Sequence, residues 1–223
     1  MGWVEELRRE FPAVEHYVYL DVAYDNGSSH FIRAAAQEYF DDWATNIANA
    51  KGYKSGRAYL FEKADQVRRE IATLLGGVDP ENIALTRNTN EGINMIAQGF
   101  PFMRGDNVIL NDVGHNSVNM PFLNLKKKGV ECRFSVSPDG LTIPVDSIWE
   151  HVDERTRMIA LCHVQSRSGY MIDLEELSYR CRRRGVFLVV DAIQSLGLHI
   201  CDAKAWGLSA VSAGTYKGLL GSC

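Results

Sequence analysis

The chain has 223 residues, 46% of them hydrophobic, and a formal charge of -4. That is enough apolar material for one substantial core, at the upper end of what a single domain holds. The mild acidity excludes a chain drawn as a whole to nucleic acid or anionic membranes, and no apolar run has the length of a bilayer span.

Regular organisation begins near residue 57. Leu60, Ala64, Val67, Ile71, Leu74 and Leu75 recur at helical spacing, and Gly76-Gly77 ends the pattern as a glycine cap would. Ile83-Ala84-Leu85 then reads as a short buried strand. Asn88-Thr89-Asn90-Glu91 has the spacing of a capping box, with Ile93, Ile96, Ala97 and Phe100 on one face of the helix it would open. The grammar repeats with a strand at Val108-Ile109-Leu110, a polar turn through His115, and a helix ending at Lys126-Lys127-Lys128-Gly129. Next come a strand at 130–134, a helix at 145–152 and a strand at 158–162. A helix from Leu174 ends at Arg182-Arg183-Arg184-Gly185, and the apolar run 186–190 follows. A run without alternation fits a strand covered on both faces, so the class is α/β with a mainly parallel sheet. Both basic clusters fall in the last turn of a predicted helix, where cations complement the helix dipole, and so read as termini rather than a nucleic-acid patch.

Ligands in open parallel sheets bind beyond the carboxyl ends of the strands. Asn88, Thr89 and Asn90 open a helix whose unpaired N–H groups suit a phosphate, although simple capping also explains them. His115 could stack on an aromatic ligand and move protons, or merely face solvent. Asp191 ends the most apolar strand, where a carboxylate is costly unless it meets a cation or strong donors, and Gln194 would offer an amide to the same ligand. Lys217 follows an apolar stretch and a Ser/Gly/Thr turn; its amine could form a Schiff base with an aldehyde cofactor. The five cysteines, Cys132, Cys162, Cys181, Cys201 and Cys223, form an odd set without a C-x-x-C pair, which argues against a disulfide framework or structural zinc. No histidine has metal-ligand spacing, so no metal is expected.

The run Asp191-Ala192-Ile193-Gln194-Ser195, followed by Gly214-Thr215-Tyr216-Lys217-Gly218-Leu219-Leu220-Gly221, resembles the cofactor signature of the class V aminotransferases. That family includes cysteine desulfurases, selenocysteine lyases and isopenicillin N epimerase-like enzymes. Residues 86–94 are similar to its phosphate loop, and Tyr19-Leu20-Asp21 with Asn26-Gly27 to its N-terminal strand and loop. The resemblance implies a fold-type-I transferase large domain over residues 57–223, preceded by an N-terminal segment, 1–56, and a pyridoxal 5'-phosphate cofactor. Lys217 would carry the Schiff base and shuttle a proton, and Asp191 would hold the pyridinium nitrogen. Gln194 would contact the phenolic oxygen, His115 would stack on the ring, and Asn88, Thr89, Asn90 and Thr215 would serve the phosphate. Ser166 follows Gln165 where an asparagine often contacts the cofactor. Gly114 and Gly214 stand where many relatives have glutamate and serine.

An amino-acid substrate, a homodimer and a cytoplasmic site are implied; the N-terminus Met1-Gly2-Trp3-Val4-Glu5-Glu6 lacks a signal-peptide pattern. Relatives continue past their lysine into another strand and a small domain bearing the arginine for the substrate carboxylate. This chain stops 223 − 217 = 6 residues later. An exposed sheet edge and apolar surface are therefore expected, and a non-catalytic fragment with weak cofactor binding is the alternative to an active enzyme. A nicotinamide oxidoreductase is disfavoured because no G-x-G-x-x-G turn follows the first strands.

Overall fold

A strand apolar on both sides needs a helix layer on each face, and the computed structural model supplies both. It describes residues 2–45 and 56–221, so Cys223 lies outside. In chain order the helices and strands are α1 (Trp3–Arg9), α2 (His30–Thr45), α3 (Gly56–Leu74), α4 (Thr89–Gly99), β1 (Asn107–Asn111), α5 (Asn116–Leu123), β2 (Glu131–Ser135), α6 (Val145–Trp149), β3 (Thr156–Cys162), α7 (Leu174–Arg184), β4 (Phe187–Asp191), α8 (Ala203–Trp206) and β5 (Ala210–Ser212). Contacts divide the chain into two units, one of residues 1–73, 78–85 and 215–223, the other of 74–77 and 86–214.

The second unit holds the sheet, five parallel strands in the order β2-β1-β3-β4-β5. Alternate residues divide between its faces. Val108, Leu110, Met158, Ala160, Cys162 and Val189 pack with Ile93 and Ala97 of α4 and Val118 and Phe122 of α5. Their neighbours Ile109, Ile159, Leu161, Leu188 and Val190 are also buried, and α6 and α7 pack against β1 and β4. Fully buried apolar surface of this kind stabilises by roughly 25 cal/mol per Å².

The helix signals hold. Asn88 caps α4 by accepting from the Glu91 N–H, while the Glu91 carboxylate takes the Arg87 N–H rather than that of the capping residue. The helix expected to end at Lys128 stops at Leu123, and a 3-10 turn over Asn124–Lys128 carries the lysines; this turn and α7 both end in left-handed glycines, Gly129 at φ 80° and Gly185 at φ 69°, a conformation that costs a side chain energy and glycine little. The expected helix at 145–152 is shorter, because Glu150 already caps it.

At the amino ends of the strands a polar network is closed. Asp153 accepts from Arg133 at 2.6 Å and from the Asn107 side-chain amide at 2.8 Å, and the Thr156 hydroxyl donates to Oδ1 of Asn107 at 2.8 Å. These donors hold the Asp153 carboxyl well below the usual carboxylate range. Burial pushes the thiols of Cys181 and Cys201 up, to about 12 and about 11, so both act as core residues.

The first unit contains α1 and α2 and most of α3. Three expectations fail there. Ile83-Ala84-Leu85 is irregular and Leu85 is 47% exposed; the Ile83 N–H goes to Pro80 and its carbonyl to the Arg68 guanidinium, so no ladder forms. Tyr19-Leu20-Asp21 is no strand either, with Leu20 85% exposed, and the Tyr19 hydroxyl closes a local turn onto the carbonyls of Asp21 and Asp25. The α3 helix forms, but Leu60, Val67 and Leu74 of its apolar stripe are exposed. Trp3, Val18, Phe31 and Phe61 are exposed as well. No helix among the described residues is long and apolar enough to cross a membrane.

In the second unit, Asp139 accepts the N–H groups of Thr142 and Leu141, which pull its carboxyl down to about 2. A folded value below the unfolded one, about 4, gives stability that is present above the unfolded value and lost as pH falls through the folded one. The denaturation midpoint should therefore drop between about pH 4 and 2. Asp139→Asn should lower the midpoint at neutral pH and make that drop shallower, as measured by urea unfolding at several pH values.

Candidate active site

Parallel strands deliver all their carboxyl ends to one edge, and the candidate residues of the sheet unit gather there. Asp191 is the last residue of β4, paired in register with Cys162 on one side and Ser212 on the other. It is 1% exposed. Its Oδ1 accepts the Ile193 N–H at 3.0 Å and its Oδ2 the Ser117 hydroxyl at 3.2 Å. Its backbone carbonyl accepts the His163 N–H at 2.9 Å, and the Ala192 N–H is donated to Ser212 at 2.8 Å. The carboxylate is thus buried and oriented by the following turn and by α5, while the backbone that carries it is held from both sides.

Behind it, the buried His163 ring contacts the Ser195 hydroxyl through Nδ1 at 2.9 Å. Burial, with His199 nearby, pushes His163 down to about 4, so it is neutral near pH 7 and serves as a packed polar support. Gln194 lies half-buried in the same turn.

His115 is exposed and caps α5, its Nδ1 accepting the Ser117 N–H at 3.2 Å while standing 2.7 Å from the Ser117 hydroxyl. Ser117 therefore joins His115 to Asp191. The amide of Asn119 donates to the Asn111 carbonyl at 3.0 Å and fixes the turn that carries the histidine.

Ser212 ties the start of α4 to the same edge, since its hydroxyl donates to the Thr89 carbonyl at 3.0 Å. Thr89 is 5% exposed, and its own hydroxyl oxygen is buried without a partner. Asn88 and Asn90 are exposed on the same first turn; the Asn90 side chain accepts from the Asn94 amide at 2.9 Å. An orphaned buried hydroxyl beside first-turn N–H groups fits an anionic oxygen ligand. Ser166 stands half-buried in the turn after β3, on the same edge.

Lys217 and Thr215 belong to the first unit. Lys217 is 8% exposed, and its ammonium donates to the Ala23 carbonyl. Asn26 holds this turn from the side, its N–H donating to the Tyr216 carbonyl at 3.3 Å and its side-chain amide to the Lys217 carbonyl. Thr215 is exposed, and its carbonyl accepts the Gly221 N–H at 2.7 Å. Sequence reasoning missed Ser117, Ser212 and His163. The His-x-Ser spacing at a helix start was the available signal for Ser117; the other two act through tertiary contacts.

The class-V aminotransferase family model matches residues 18–222, and the chain belongs to that family. It is 30% identical over 217 residues to a probable cysteine desulfurase of Methanothermobacter thermautotrophicus, covering 97% of this chain and 54% of the relative. The apo cysteine desulfurase of Thermococcus onnurineus superposes with a TM-score of 0.86 at 25% identity, over 100% of this chain and 55% of that one. A C-DES mutant with glycine covalently linked to its PLP cofactor gives 0.86 at 20% identity, over 96% and 57%. The fold is that of the fold-type-I transferases. The chain spans about half the length of the curated relatives it matches, 54% of the first.

A Cβ on Gly92 would stand 2.5 Å from the Ser212 hydroxyl oxygen, so glycine is what lets α4 approach β5. Helix propensity alone favours alanine there by about 1 kcal/mol. Gly92→Ala should nevertheless lower Tm, and should become neutral or stabilising on a Ser212→Ala background. A thermal double-mutant cycle checks this, and a higher Tm for Gly92→Ala alone would contradict the close approach.

Proposed function

We propose that the whole protein is a pyridoxal-phosphate-dependent enzyme acting on an amino acid, close in kind to the cysteine desulfurases. The observation that carries this reading is the buried Asp191 carboxylate at the end of β4, on the same edge as the unpartnered Thr89 hydroxyl. A ligand with an acidic N–H at one end and a phosphate at the other matches that pair. Family membership over residues 18–222 supports the same cofactor.

Pyridoxal phosphate, when bound, supplies an aldehyde for a lysine amine and a ring that withdraws electrons from the substrate. Each residue has a separate task. Asp191 would accept the proton-bearing ring nitrogen and keep it protonated, because a buried carboxylate favours a cationic donor. Thr89, Asn88, Asn90 and the first-turn N–H groups of α4 would bind the phosphate, with Thr215 a further donor. His115 would lie against the ring, Gln194 would donate to its hydroxyl oxygen, and Ser166 would line the edge. Lys217, already oriented by the Ala23 carbonyl, would hold the cofactor covalently and then carry the substrate α-proton on its amine. The whole protein would act on an amino acid and assemble as a homodimer.

Borohydride reduction of a mixture of the chain with pyridoxal phosphate, followed by peptide mass spectrometry, tests the reading. Labelling is expected at Lys217 and should vanish in Lys217→Ala; scattered or absent labelling overturns it. Thr89→Val should leave apo stability unchanged or higher, since it removes an unpartnered buried hydroxyl. The same change should weaken cofactor binding about tenfold, the size of one lost hydrogen bond to a charged group.

A further inference from the structure

Ser117 is absent from the roles assigned above, yet it touches two of the residues that hold them. Its hydroxyl oxygen is 2.7 Å from Nδ1 of His115 and 3.2 Å from Oδ2 of Asp191. Its backbone N–H also donates to that Nδ1, at 3.2 Å. A serine hydroxyl has one proton to give and lone pairs to accept with. A neutral imidazole whose Nδ1 accepts the backbone N–H can take that proton, and so can the carboxylate. When Nδ1 is itself protonated it must donate to the hydroxyl oxygen, and the hydroxyl proton then has only Asp191 to go to. Helix α5 contributes no ionisable side chain of its own, and the carboxylate within reach of this hydroxyl is that of Asp191.

We propose that Ser117 is a positioning residue whose hydroxyl proton is shared between the His115 ring and the Asp191 carboxylate, setting the rotation of the ring and the aim of the carboxylate together. The inference rests on the cofactor reading for its purpose: the two groups that would meet the same ring are held in fixed relation by one hydroxyl. The hydroxyl is placed by α5, whose Val118 and Phe122 are fully buried, so the link is built on a rigid element.

The test is nitrogen-15 NMR of the histidine rings in the apo chain, at about pH 9 where ordinary imidazoles are neutral. His115 is assigned by its loss in His115→Gln. In wild type, partial donation from Ser117 should hold the Nδ1 resonance upfield of an unbonded imine nitrogen. Ser117→Ala should move it downfield, and Ser117→Thr, which keeps the hydroxyl, should restore it. Asp191→Asn should move it the other way, because a weaker acceptor returns the proton to the ring. An Nδ1 signal unmoved by Ser117→Ala, or by Asp191→Asn, overturns proton sharing, and the threonine and asparagine variants carry the test if the alanine variant does not fold. Pyridoxal phosphate binding adds a second readout, with affinity expected to fall several-fold in Ser117→Ala and to recover in Ser117→Thr. Lys217 labelling separates the two readings. Its failure with the NMR pattern intact sinks the cofactor reading alone, whereas its success with unmoved signals sinks only the role of Ser117.

Discussion

A carboxylate taken out of water at the end of a central strand loses solvation worth several kcal/mol, and it persists only where donors replace the water. Asp191 is in that position, and much of the sheet unit can be read as the means of holding it. Its backbone is locked on both sides, by the His163 N–H just beyond β3 and by Ser212 of β5. Its side chain takes one donor from the turn that follows and one from α5. Helices α4 and α7 pack against the strand that carries it and keep water from it.

The two ends of the sheet treat polar groups differently. At the amino ends, Arg133, Asp153, Asn107 and Thr156 satisfy one another, and Arg157 pairs with Asp106 at 3.0 Å. At the carboxyl ends the accounts do not close. Among the described residues, the buried side-chain atoms without a partner lie on Thr89, Asn111, Asn119 and Gln165, all of them in or beside the turns at that edge. Orphaned polar groups are expensive in a low-dielectric setting. Their confinement to one edge is what a ligand-binding edge requires and a purely structural sheet would avoid.

Most of the sheet unit was legible because its signals are local. An apolar run, a cap at Asn88 and a basic last turn before glycine each specify a boundary without reference to distant residues, and β4, α4 and α7 form where these signals stand. The failures share one cause. Residues 83–85 and 19–21 have strand-like composition, but a strand exists only when a neighbour offers a ladder, and among the described residues none does. The α3 stripe shows the same limit, since periodicity declares that a face is apolar but not what covers it. Within the site, Asp191 was legible through the strand it ends. Ser117 was not, because serine in the first turn of a helix is ordinary and only the fold brings it to a carboxylate 74 positions away.

Lys217 shows how far local preference can be overruled. Two residues short of it, Thr215 begins a turn that ends in Leu220 at φ 57° and Gly221. A leucine in the left-handed region costs roughly 1 kcal/mol. A Cβ at position 221 would stand 2.7 Å from the Thr215 side chain. The turn keeps this shape because Leu220 and Gly221 donate to the carbonyls of Lys217 and Thr215, and because Asn26, 191 positions away, donates to Lys217 and its neighbour. No window of sequence around the lysine contains that constraint. The strain is local, whereas the donor that helps sustain it is remote. The lysine backbone is thereby fixed by the fold, and the residues flanking it need not favour the conformation they adopt.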